Sequence, residues 1–345
     1  MSKKILFLSV TVLSVLYLHI AVASAESQSK HKEIKLIMAT NVTPVYPYIG
    51  KGMKTFVDMV NERGKGVVQI DMYWGGALLK GKQLLPGLRA GTADMIWVSS
   101  SYLAGDFPSL GIQSLPLWKT LEKSYEDRKI GSPLAVWQNQ ELKKKNLKQL
   151  LTSGMIPEVL FTRKKLVRCP EDMKGLKIRV PGKIEAKAVY AMGAFPVSIP
   201  SAEHGHALSR GVVDGSIITP WTAKGRGIEE FCKYMLDYPF GGINASIFVL
   251  NDRWESWSED VQKIIMDAAI ESERLFIGPA GATLNDGQYK GEVIPYYESK
   301  GLEAVYLTDA ETSKFDKAIE PIIKWWIKKV GTETGEKAIG YIQRD

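Results

Sequence analysis

The sequence predicts an α/β fold of two domains, each a mainly parallel sheet flanked by helices. Three observations lead there. The chain has 345 residues, past the roughly 250 at which a single core tends to split. From Glu33 onward its apolar residues alternate between strand and helix spacing, the rhythm of parallel βαβ units. That rhythm restarts at Ser153 with its own turns and apolar runs, as a second domain would.

Residues 33–39 (EIKLIMA) alternate as a first strand. Over 48–63, Ile49, Met53, Phe56, Val57 and Val60 recur at i, i+3, i+4 spacing, an amphipathic helix. Gly64-Lys65-Gly66 stops it, and 67–74 read as the next strand. A short helix at 83–90 and a strand at 94–98 follow. Beyond Pro116, two helical stretches end in the basic run 142–148, before a strand at 148–152. The second half carries strand patterns at 158–162, 177–180, 196–199, 212–218, 233–236 and 245–250, with helices at 183–192 and 203–210. Helical periodicity then runs from 258 to about 300, with a bend expected at Pro279 between Gly278 and Gly281. A strand at 303–307 and a helix at 310–329 close the chain. No internal repeat is evident. With crossings near Ser153 and Ile243, residues 26–152 and about 243–280 form domain I, and 153–242 and about 281–345 form domain II. The long helix straddles both.

Composition narrows the function. With 45% apolar and 24% charged residues, 31 Gly, 16 Pro and 2 Cys, collagen, long disorder and disulfide scaffolds are excluded. The net charge of +7 includes Lys3 and Lys4, leaving +7 − 2 = +5 without them. A surplus that small, spread along the chain, does not suit a nucleic-acid binder. Lys3-Lys4, the apolar run 5–23 and Ala23-Ser24-Ala25 describe a secretory signal peptide over residues 1–25, cut after Ala25. The product is expected to be exported to the periplasm. Cys169 and Cys232 lack any Cys-x-x-Cys spacing, and whether they are bridged is left open.

Catalytic motifs fail on inspection. The stretch 76–83 resembles a phosphate loop, but Gln83 stands where Ser or Thr should ligand magnesium. No G-x-G-x-x-G or G-x-S-x-G occurs. His204 and His206 are two apart on a helix and so diverge, which makes a solvated face rather than a metal pair. No metal or cofactor is expected. One residue invites a binding reading. Arg179 ends the strand in Gly175-Leu176-Lys177-Ile178-Arg179-Val180-Pro181, and ligands of open α/β sheets bind beyond the carboxyl ends of strands. A guanidinium there can grip a carboxylate with two parallel hydrogen bonds. By its spacing alone it reads first as a surface salt-bridge residue.

Seven segments in register resemble the periplasmic solute-binding subunits of tripartite ATP-independent periplasmic (TRAP) transporters, the C4-dicarboxylate-binding type. They are 74–79, 87–95, the stretch from Tyr102 through Phe107-Pro108 to Leu115-Pro116, 171–180, 192–197, 207–215 and Pro220-Trp221. The resemblance spans residues 33–269. It implies a two-domain periplasmic-binding-protein (Venus flytrap) fold that closes on a small organic acid. It also implies that Arg179 pairs with the ligand's carboxylate. Trp221 is implied as an aromatic wall, and Asn244, Thr219, Ser99 and Ser100 as cleft-facing positions. Tyr46 and Tyr102 are further candidates from the first domain. Some members carry a second arginine where, by count, Val159 falls here, with Arg163 the nearest arginine. Ser99 likewise replaces an acidic residue of sialic-acid binders. A second ligand carboxylate would then be buried unpaired, which is costly, so a monocarboxylate is expected. The implied role is a monomeric transport receptor working with integral-membrane subunits. The alternatives are a ligand-sensing module, or an enzyme using His204 or a cleft acid as base.

Overall fold

The computed structural model describes residues 33–44, 49–118, 121–152, 156–277 and 289–342. The expected signal peptide, Tyr46 and Pro279 lie outside the described residues. In chain order the first half comprises β1 (Ile34–Thr40), α1 (Ile49–Arg63), β2 (Val68–Tyr73), α2 (Leu84–Arg89), β3 (Met95–Ser99), α3 (Ser100–Leu103), α4 (Leu121–Arg128), α5 (Pro133–Lys143) and β4 (Leu147–Thr152). Then come β5 (Ile156–Thr162), β6 (Lys177–Val180), α6 (Lys183–Ala191), β7 (Phe195–Ser198), α7 (His204–Ser209), β8 (Gly215–Ile218), α8 (Pro220–Gly225) and β9 (Tyr234–Ile243). The remainder is β10 (Ala245–Leu250), α9 (Asn251–Ser256), α10 (Glu259–Ser272), α11 (Ile294–Ser299), β11 (Glu303–Val305), α12 (Asp309–Val330) and α13 (Thr332–Gly340).

The strands form two sheets. Lobe I is built on the order β2-β1-β3-β10-β4, and lobe II on β11-β9-β5-β8-β6-β7. Both are mixed rather than mainly parallel. β10 runs antiparallel to β3 and β4, and β5 antiparallel to β8 and β9. The cause is the crossing itself: a strand arriving from the other lobe enters at the edge where the parallel strands end, so it must run against them. β9 reaches Ile243 and β10 begins at Ala245, which leaves Asn244 between the two sheets.

The lobes repeat one topology that periodicity did not expose. β2-β1-β3 matches β7-β6-β8, each parallel throughout. In each, Leu-x-x-Gly-x-x-Asp joins a short helix to the last of the three strands, β3 or β8. Gly91 and Gly211 take φ of +75° and +69°, which only glycine adopts without strain. The carboxylates of Asp94 and Asp214 then accept the backbone N–H of Ile37 (2.9 Å) and of Lys177 (2.8 Å), locking neighbouring strands together. Seven residues are too few to register as a repeat along the chain.

Helices hold the lobes in one body. The long helical stretch divides: Val261, Ile265 and Ala268 of α10 pack in lobe I, and Ile294 and Tyr297 of α11 in lobe II. α12 has a Thr308–Glu311 capping box, and buries Phe315, Ile319, Ile322 and Trp326 with Ile184 of lobe II and Ile112 of lobe I. Trp326 Nε1 donates to the Pro108 carbonyl at 2.8 Å. Gly111 permits that approach, since a Cβ there would lie 2.9 Å from the same nitrogen. Cys169 and Cys232 are both free thiols.

Candidate ligand-binding cleft

The carboxyl ends of the parallel strands from both lobes face one another across a cavity of about 90 Å³. Lobe I contributes Asn41 and Val42 after β1, and Ser99 and Tyr102 after β3. Lobe II contributes Glu158, Arg179, Thr219 and Arg226. Ile243, Asn244 and Ala245 line it from the crossing. The cavity adjoins an open groove between the lobes of about 500 Å³, with Tyr102 and Pro181 on both. At that junction the Ser201 N–H of lobe II donates to Tyr102 Oη of lobe I at 3.4 Å.

Arg179 is 2% exposed. Its strand is short and its side chain is anchored by carbonyls: Nε donates to Ile199 at 2.9 Å and Nη1 to Ile217 at 3.2 Å. Neither partner carries charge, so these bonds orient the fork and leave its positive charge uncompensated. Burial lowers the guanidinium pKa, and the fields of Tyr102, Glu158 and Glu185 oppose that fall.

Around Arg179 lies a set of titratable groups that the sequence reading missed. Glu158 is 1% exposed, with Oε2 lacking any hydrogen-bond partner, and Glu185 is wholly buried with both oxygens unpartnered. Burial, then the Glu185 carboxyl, pushes Glu158 well above the usual carboxylate range. Burial likewise raises Glu185. Two adjacent carboxyls in a dry site cannot both ionise cheaply, so the pair retains a proton. His204 is also buried, correcting the expectation that it sits on a solvated face; only His206 is exposed. Burial, reinforced by Arg179 and Arg226, pushes its imidazole down to about 2, so it is neutral near pH 7.

The candidates divide as follows. Arg179, Asn244, Thr219, Ser99 and Tyr102 line the cavity together. Thr219 and Ser99 are matching N-caps: Thr219 Oγ1 accepts the Thr222 N–H at 3.2 Å, and Ser99 Oγ the Ser101 N–H at 3.3 Å. Asn244 Nδ2 donates to Thr152 Oγ1 at 2.6 Å, fixing the amide at the crossing. Ser100 and Trp221 are not in the lining. Ser100 points back into the wall, 3.5 Å from Ser246 Oγ. Trp221 lies half-buried against the lobe II core, because α8 turns that face toward Ile228 and Tyr297. Val159 is core, and its neighbour Glu158 faces the cavity instead, at a register shift in β5. Arg226, at the C-cap of α8, supplies a second guanidinium that counting back from Arg179 did not find.

A family model for the bacterial extracellular solute-binding proteins, family 7, matches residues 38–329. The chain belongs to that family. Among curated relatives it is 24% identical over 267 residues to a solute-binding protein of Albidiferax ferrireducens, covering 76% of each chain. It is 25% identical over 279 residues to the 2,3-diketo-L-gulonate-binding periplasmic protein of Escherichia coli, covering 77% of this chain and 79% of that one. Among solved structures, a TRAP periplasmic solute-binding protein of Ralstonia eutropha with bound (S)-2-acetolactate superposes with a TM-score of 0.79 at 25% identity, covering 89% of this chain and 98% of that one. One from Shewanella oneidensis with bound succinate gives 0.77 at 21%, covering 90% and 100%. The solute-binding subunits of TRAP transporters are thus this protein's family, and two facing α/β lobes are its fold.

Proposed function

We propose that this family 7 protein is a transport receptor that captures a small monocarboxylic acid in the cavity beside Arg179 and presents it to TRAP-type membrane subunits. Cleavage after Ala25 exports it, and the two domains meet at the crossings near Ser153 and Ile243. The observation that carries the reading is Arg179 itself: a buried guanidinium, oriented by two carbonyls and lining an interlobe cavity, with no carboxylate bonded to it. Closure of the lobes removes water from around the ion pair and strengthens it. Relatives and neighbours bind small organic acids, with acetolactate, succinate and diketogulonate among them.

The preference for one carboxylate rests on Glu158 and Glu185, two buried acids beside Arg179 whose pKa values burial raises, because a second ligand carboxylate would add like charge to that dry site.

A thermal-shift screen of small organic acids tests this. A ligand at 100 times its Kd adds about 2.7 kcal/mol of stability. For the best hit, Arg179→Ala should weaken binding by about 2–5 kcal/mol, and unchanged affinity in calorimetry would remove Arg179 from the site.

A further inference from the structure

One side chain stands at the junction between the interlobe cavity and the open groove. Of the described residues only Tyr102 and Pro181 line both spaces. Pro181 is fixed by its ring to its own backbone. Beside it the lobes meet backbone to backbone, since a Cβ on Gly182 of lobe II would lie 3.0 Å from the Ser101 carbonyl oxygen of lobe I. The half-buried Tyr102 side chain, free to change rotamer, is the movable part.

Two contacts hold its ring in place. The hydroxyl accepts the Ser201 N–H from the opposite lobe at 3.4 Å, a long bond. The ring edge beside that hydroxyl rests on Gly81, where a Cβ would lie 2.8 Å from Cε2. Gly81 is not among the glycines of positive φ, so its lack of a side chain serves space rather than backbone conformation. It belongs to the stretch 76–83, whose likeness to a phosphate loop fails at Gln83. That loop closes on itself. The Lys80 N–H donates to Gln83 Oε1 at 3.0 Å, and the Gln83 N–H to the Lys80 carbonyl at 2.7 Å. The turn thereby fixes Gly81 under the ring.

We propose that Tyr102 is the gate of the cleft, a side chain that swings off its seat on Gly81 to let a small organic acid pass between groove and cavity; this rests on the capture of a monocarboxylate proposed above. A barrier crossed in both directions sets entry and exit alike and leaves the equilibrium alone. Pyruvate and L-pyroglutamate are the probes, with rates read by stopped-flow tryptophan fluorescence and affinity by calorimetry. Tyr102→Phe removes only the hydroxyl. Gly81→Ala, outside the cavity lining, pushes the ring off its seat. Losing the one bond should raise association and dissociation together in each variant, by about two- to tenfold. In Gly81→Ala the affinity should be unchanged. The two substitutions combined should do no more than either alone, because the ring then has no bond left to lose. Faster dissociation alone, with affinity lost, would make Tyr102 part of the acid's grip, and wild-type rates in both variants would put the passage elsewhere. Either result overturns the gate, while loss of binding in Arg179→Ala would still uphold the proposed function. Binding of neither probe to the wild type would remove both.

Discussion

Replacing His204 by Phe tests the electrostatics of the cleft through stability. In the fold His204 has no exposed surface, and its pKa is pushed down to about 2 by burial and then by Arg179 and Arg226. In the unfolded chain it titrates near its ordinary value of about 6.5. Below that value the unfolded state gains a proton that the folded state refuses. Stability therefore falls as pH falls, by about 1.4 kcal/mol per unit, until the folded value is reached. Between pH 7 and 4.5 the loss is about 2.6 kcal/mol, and it is the same whether the folded value is 2 or 3. Burial raises the pKa values of Glu158 and Glu185, and that of Glu273 to about 7, and these acids act in the opposite sense: their folded forms hold protons longer, so they cost stability as pH rises. The wild-type profile alone is accordingly ambiguous, and the informative quantity is the difference from the variant. Urea unfolding of both proteins at pH 7 and 4.5 should show the wild type losing about 2.6 kcal/mol relative to His204→Phe. An equal difference at both pH values would mean that the imidazole titrates normally, and the picture of a dry, cationic cleft would be wrong.

Three further outcomes follow from the geometry. Glu158→Gln with Glu185→Gln removes two buried carboxyls whose pKa values burial raises, so urea unfolding should show the double variant losing less stability than the wild type as pH rises from 4 to 7. Gly111→Ala puts a Cβ 2.9 Å from Trp326 Nε1 and 3.2 Å from Ile184, and such overpacking should cost about 1–3 kcal/mol in chemical denaturation. Asp214→Ala removes the acceptor of the Lys177 N–H and loosens the strand that bears Arg179. Water can replace the carboxylate at this exposed bond, so the variant should cost about 0.5–1.5 kcal/mol in the same assay and weaken ligand binding measurably.

Most of the fold was legible because it is local. Strand and helix spacing predicted β6 and β10 to the residue, since each is a short apolar run bounded by turn formers. β9 was cut short at 236 because Pro239, Gly241 and Gly242 resemble a turn. In the structure that stretch crosses close to the Ser114 carbonyl, where a Cβ on Gly241 would lie 2.4 Å away. The cleft was legible only in part. Arg179 stands at a strand end, a position that spacing reveals, whereas Ser99 and Thr219 are implied only by the family resemblance. Glu158, Glu185, Arg226 and His204 come from four separate elements, and nothing in their local pattern marks them as neighbours. A buried Glu in an apolar strand, such as Glu158 in IPEVLFT, was the one usable signal, because an acid is almost never buried without a role. The resemblance at Pro220-Trp221 implies an aromatic wall, whereas the side chain lies half-buried against the lobe II core.

The central claim is that Arg179 receives the carboxylate of a small acid between the lobes. A crystal structure of the exported protein with the best acid from the thermal screen tests it most directly. A carboxylate oxygen within hydrogen-bond distance of Arg179 Nη2, enclosed by Asn244 and Tyr102, is the predicted result. An acid bound elsewhere, with water alone beside that guanidinium, would contradict it.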